Sequence, residues 1–173
     1  MTAIAKPQPG MFKPFSAAYI SLVDDHISVD ALQTEFDDLK SFLLSIPEEK
    51  WNYRYAEGKW TLQEMLVHMT DTERIFSYRA LRMARNDSTP LPGFEQDDYV
   101  PFSNATGRNY NELTEEFEAV RRSTYLLFCS FDDSVWDRYT LVDNHPVSVR
   151  AMLYLVIGHA KHHVKIIREK YLP

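Results

Sequence analysis

Apolar residues recur at intervals of three and four in four separate stretches of this chain, the spacing that places them on one face of a helix. In residues 30–45 the series is Leu32, Phe36, Leu39, Phe42, Leu43 and Ile46, and Pro47 stops it. A second series, Leu62, Met65, Met69, Phe76, Ala80 and Met83, predicts a helix running to about residue 85. Its start is marked by Thr61-Leu62-Gln63-Glu64, the form in which a threonine side chain and a glutamate each satisfy a free backbone N–H. Leu113, Phe117, Val120, Tyr125 and Phe128 predict a third helix over 109–130. Ser148, a good N-cap, opens a fourth that carries Met152, Leu153, Val156, Ala160, Val164, Ile167 and Tyr171 through to about residue 171.

The connections are long and unequal. Pro7, Pro9 and Pro14 make residues 1–14 a poor helix start, so they read as an irregular or extended arm, able to dock through its apolar residues, before one domain over 15–173. Residues 91–107 form a long loop, and its aromatics Phe94, Tyr99 and Phe102 favour order. No strand alternation or internal repeat stands out. The expected fold is therefore all-α, a four-helix bundle whose long connections permit crossovers, with the helix order left open.

Composition narrows the function classes. With 173 residues, 45% of them hydrophobic, the chain can bury roughly 70% of its unfolded surface around one core. A net charge of −6 and no Lys/Arg cluster argue against a nucleic-acid-binding face. The single cysteine, Cys129, excludes an internal disulfide and lies in an apolar helical stretch, where a small core residue is expected. With no signal-like apolar core near the N-terminus and no run of the ~20 apolar residues needed to span a bilayer, a soluble cytoplasmic protein without a membrane partner is expected.

The candidate chemistry lies in histidines. His159 and His163, four residues apart, fall at the edge of and inside the apolar arc of the last helix, while His162 points toward Lys165 and Glu169. His68 sits beside the apolar stripe of the second helix and can complete a metal-binding triangle with open coordination positions. The chain lacks the glutamate of the zincin His-Glu-x-x-His pattern, so that protease mechanism is unsupported. His26 and His145 read as surface or capping residues. Histidines on apolar faces are also commonly hydrogen-bonded core residues, and His-x-x-x-His arises by chance.

Several segments resemble the DinB/YfiT-like superfamily. They are Tyr53-Arg54-Tyr55-Ala56-Glu57-Gly58-Lys59-Trp60-Thr61, His68-Met69-Thr70-Asp71-Thr72-Glu73-Arg74, Pro90-Leu91-Pro92-Gly93-Phe94 and Gly158-His159-Ala160-Lys161-His162-His163. They occur in that family's order and spacing over nearly the whole chain. The resemblance implies a four-helix bundle with long crossovers, a homodimer, and a divalent metal on three histidines, which by position are His68, His159 and His163. Family members include thiol-dependent enzymes such as bacillithiol S-transferases and mycothiol-dependent maleylpyruvate isomerase.

The resulting expectation is a metal-dependent transferase or hydrolase that activates water or a low-molecular-weight thiol against a small-molecule substrate. Zinc fits three imidazoles and an open position best, with nickel, iron and manganese as further candidates. Glu64 and Asp71 are expected to accept from His68 or to pair with other helices, ahead of the alternative that one of them serves as a general base. Glu95, Asp97, Asp98 and Tyr99 are candidates for the mouth of the site, with solvated loop charges the commoner explanation, and Arg79 and Arg82 are expected in salt bridges rather than facing an anionic substrate. The alternative is a non-catalytic bundle that binds a metal or ligand, or one that uses Phe12, Phe15 and the Trp136 loop as an interface.

Overall fold

Each of the four periodic stretches is a helix in the computed structural model, which describes residues 3–172. In chain order the elements are β1 (Ile4–Ala5), the single turn α1 (Ala17–Ile20), β2 (His26–Ile27), α2 (Ala31–Leu44), α3 (Leu62–Ala84) and the single turn α4 (Gln96–Tyr99). Then come α5 (Tyr110–Cys129), β3 (Tyr139–Val142), β4 (His145–Ser148) and α6 (Val149–Ile166). The capping box opens α3: the Glu64 backbone N–H donates to Thr61 Oγ1 at 3.1 Å, and the Thr61 N–H donates to Glu64 Oε2 at 2.7 Å. Ser148 caps α6 by accepting from the Ala151 N–H at 3.1 Å.

The long helices α2, α3, α5 and α6 form a four-helix bundle. α3 and α2 each pack against both α5 and α6, whereas the chain-consecutive pairs α2/α3 and α5/α6 occupy opposite corners. Two connections therefore cross the bundle diagonally, which is what their length serves. α6 is the central element. Every residue from Ala151 to Ala160 on it is buried, so its apolar surface needs cover on all sides. α1 supplies part of that cover.

The arm before residue 15 is not wholly irregular. β1 pairs antiparallel with β2, and the Ile4 carbonyl accepts from the Tyr154 hydroxyl at 2.8 Å. A second correction concerns strands. β3 and β4 form a hairpin around Asp143 and Asn144, both with positive φ, the two-residue turn that matches strand twist. Burial alternates along β3, but four residues between a helix and a turn give a weak periodic signal. Leu91 docks on this hairpin, donating to Leu141 O and accepting from the Asp143 N–H, and so pins the start of the long loop. The last helix changes character at its end: Ile167–Tyr171 is a π-helical turn, and Tyr171 is buried with its hydroxyl donating to Trp60 O.

Two core assignments also change. Cys129 is exposed, because it ends α5 about 100° around the helix from the buried Phe128. Trp136 is buried against Phe128 and Phe131, which removes it as an interface residue, while Phe15 is 67% exposed. Among the described residues no helix is long and apolar enough to cross a membrane.

One buried ion pair ties three helices of the bundle together. Arg121 on α5 donates to both carboxylate oxygens of Glu73 on α3 at 2.8 Å and to the Leu32 carbonyl on α2 at 3.0 Å, with the Phe36 and Phe117 rings beside its guanidinium. Removing one partner of such a pair strands a buried charge. Arg121→Ala is expected to cost about 3–5 kcal/mol in urea denaturation, whereas Arg121→Met combined with Glu73→Leu recovers most of it.

Candidate metal centre

His68 on α3 and His159 and His163 on α6 converge where the two helices pack together. His159 Nε2 lies 3.0 Å from His68 Nε2 and 3.0 Å from His163 Nε2. The side chains are held by aromatic contacts: Trp60 lies against His68, while Tyr19 and Phe76 pack edge-on against His159. Tyr19 can take that place because Gly158 has no side chain. A Cβ there would stand 2.2 Å from the Tyr19 carbonyl oxygen, so this glycine sets how closely α1 approaches α6.

Burial disfavours the charged form of each imidazole. It lowers the His68 pKa to about 4 and puts those of His159 and His163 well below the ordinary value, with the neighbouring imidazoles adding to the effect. At neutral pH all three rings are uncharged. A single imidazole nitrogen has one in-plane donor or lone pair, so His159 Nε2 can make a proper hydrogen bond with only one of its two close nitrogens. A cation accepting all three lone pairs removes that conflict. Tetrahedral zinc with Zn–N of about 2.0–2.1 Å separates its ligands by about 3.4 Å, within a few tenths of an ångström of the spacing found here. The donor set fits a divalent ion.

The surroundings of the triad differ from expectation. Neither Glu64 nor Asp71 accepts from His68: Glu64 is taken by the cap of α3 and by Arg54, and Asp71 pairs with Arg74. The polar atom nearest His68 Nδ1 is instead Thr72 Oγ1, 3.5 Å away and one turn along α3. A threonine four residues after a helical histidine is the signal that identifies it. His163 Nδ1 is buried with no hydrogen-bond partner among the described residues. His162 is half-buried against Tyr19 and does not join the group, while His26 and His145 are exposed.

Two openings reach the triad. A cavity of about 390 Å³ is bounded by His159, Thr72, Phe76 and Arg79 on one side and by Glu95 and Tyr19 on others. A cleft of about 10 Å³, no larger than one water, lies between His68 and Tyr99. Glu95 and Tyr99 thus sit where the loop reading placed them, whereas Asp97 and Asp98 line neither opening. Arg82 pairs with Asp87, but Arg79 pairs with no carboxylate among the described residues.

The family model described as the DinB superfamily matches residues 31–167, a span that includes all three histidines. This chain belongs to the DinB superfamily. Within reach of this DinB-superfamily chain is an Oceanobacillus iheyensis protein named "Putative metal-dependent hydrolase OB0413", 21% identical over 152 residues and matched over 86% of each chain. Among solved structures, YfiT from Bacillus subtilis, described as a probable metal-dependent hydrolase with an unusual four-helix bundle topology, superimposes with a TM-score of 0.69. That match covers 95% of this chain and 90% of YfiT at 14% identity, and establishes the shared fold.

Two outcomes follow for the metal-free protein. Because the histidine pKa values are lower in the folded chain than the ordinary 6.5, the unfolded chain binds more protons below that pH. Stability is therefore full above about pH 6.5 and falls as pH drops toward about 4, by up to about 1.4 kcal/mol per pH unit per histidine. Denaturation midpoints between pH 7 and pH 5 should show this slope, and His163→Ala should flatten it. Gly158→Ala is expected to cost about 1–3 kcal/mol by pushing α1 off α6, read in the same titrations.

Proposed function

We propose that this protein is a metal-dependent enzyme of hydrolytic type, with a divalent ion on His68, His159 and His163. The observation that carries the reading is the convergence of three uncharged Nε2 atoms beside a cavity large enough for a small molecule. A structural zinc site normally closes with four protein ligands, and no fourth His, Cys, Asp or Glu joins this group among the described residues. An open position is what a catalytic site keeps. The name of the Oceanobacillus relative points the same way.

When bound, the ion supplies a Lewis acid that makes a water or a low-molecular-weight thiol nucleophilic near neutral pH. The chain's own residues do the rest. Thr72 Oγ1 faces His68 Nδ1 at 3.5 Å and can accept its N–H in the tautomer whose Nε2 is free to ligate. Trp60, Tyr19 and Phe76 restrict imidazole motion and keep bulk water from the ligands, leaving them 6–7% exposed. The cavity receives the substrate on the His159 side. Zinc suits the three imidazoles best, with nickel, iron and manganese as competitors.

Elemental mass spectrometry of the tag-free protein is expected to find about one divalent ion per chain. His68→Ala and His163→Ala should lose it while keeping the helical circular-dichroism signal, and His162→Ala should retain it. Wild-type protein that stays empty after exposure to all four metals refutes the reading. A panel of ester, amide and thiol-transfer substrates, each tested with and without chelator, then separates hydrolysis from thiol transfer.

A further inference from the structure

The cavity beside the triad contains a charged group that the metal reading does not use. Arg79 lies on α3 eleven residues after His68, so the series His68, Thr72, Phe76, Arg79 climbs one face of the helix over about 16 Å. Its side chain is 7% exposed. Among the described residues its hydrogen-bond partner is the Pro92 carbonyl, to which Nη2 donates at 2.9 Å, and the Phe94 ring lies 5.6 Å from the guanidinium carbon. No carboxylate of the described residues forms an ion pair with it. Burial works against its charge, lowering the Arg79 pKa.

A buried guanidinium has five N–H donors and is costly unless they are met. Arg121 in the same bundle shows the satisfied case, with a bidentate glutamate and a carbonyl. Of the acidic groups around the cavity, Asp143 acts on Arg79 only through its field, its carboxylate being held by Lys13 at 2.7 Å, and Glu95 is exposed to solvent. Phe76, Phe94, Met152 and Leu155 give the cavity that Arg79 and His159 share the apolar part of its lining, with Ser16, Thr72 and Gln96 as uncharged polar neighbours.

We infer that Arg79 is the anchor for an anionic group of the substrate, a carboxylate or phosphate joined to an apolar body that reaches toward the triad. The inference deepens the proposed function and rests on it for the identity of the reacting end. A planar guanidinium meets such an oxyanion with two parallel hydrogen bonds, while the apolar wall accepts the body of the molecule. The substrate is thus elongated and anionic at the end remote from the ion.

The test uses phenylalkanoates from 3-phenylpropionate to 5-phenylpentanoate and the matching neutral amides, titrated calorimetrically into metal-stripped full-length protein so that no acid can bind an ion. At least one acid is expected to bind about tenfold or more tightly than its amide. Arg79→Gln should abolish that preference, and Arg79→Lys should keep part of it. If no acid binds more tightly than its amide to the wild type, or if the preference survives in a folded Arg79→Gln protein, the inference is overturned. Failure of the triad to take up metal refutes the proposed function instead, and leaves the acid-over-amide preference intact.

Discussion

Helix α6 has no solvent-facing side over residues 151–160, and the rest of the fold is arranged to satisfy that constraint. A helix apolar all round must be surrounded, at about 1.5–3 kcal/mol for each large apolar side chain taken out of water. At its corner of the bundle α6 packs against α2 and α3 and lies diagonally from α5, so these helices do not cover it completely. The remaining surface is closed by α1, by the N-terminal strand through the Tyr154 hydroxyl, and by the β3–β4 hairpin. His159 and His163 are carried on this enclosed helix, so dehydration of their rings follows from the packing that makes the bundle stable.

Buried polar groups fall into two kinds. Glu73 and Arg121 use each other and the Leu32 carbonyl, and they tie three helices together. The histidine triad and Arg79 are also buried but have fewer partners, and His159 of the triad borders the same cavity as Arg79. A protein that needed these groups only for stability would gain by pairing them or replacing them with apolar residues. Incomplete pairing beside empty volume is the physical mark of groups arranged for something other than the chain itself.

The four helices were readable because each repeats its apolar signal over many turns, and two of them begin at a cap written in the sequence. Ser148 and the Thr61–Glu64 box mark their helix starts in the sequence and in the fold alike. The facing of His68, His159 and His163 was readable for the same reason, since helical phase fixes direction. What lay outside its reach depends on partners distant in the chain. Glu73 projects away from the His68 face, and only the arrival of Arg121 from α5 explains it. Glu64 and Asp71 had the spacing to serve His68, but nearer cations and backbone groups hold them. The hairpin is too short for periodicity to register, and Arg79 differs from Arg82 only through where the long loop lies.

The N-terminal strand bears on how the chain reaches this state. Ile4 and Tyr154 are 150 positions apart, yet one hydrogen bond joins them, and the Ala5 carbonyl likewise accepts from Arg150 at 3.1 Å. Contacts of such separation carry a large loop-closure entropy and form late. During synthesis, α2, α3 and α5 emerge before the helix they must surround, and their apolar faces wait for it. Two of the three converging histidines arrive with that same helix. The metal centre therefore cannot be complete before α6 is made and docked, and a nascent chain not yet extended to that helix has only His68 of the three.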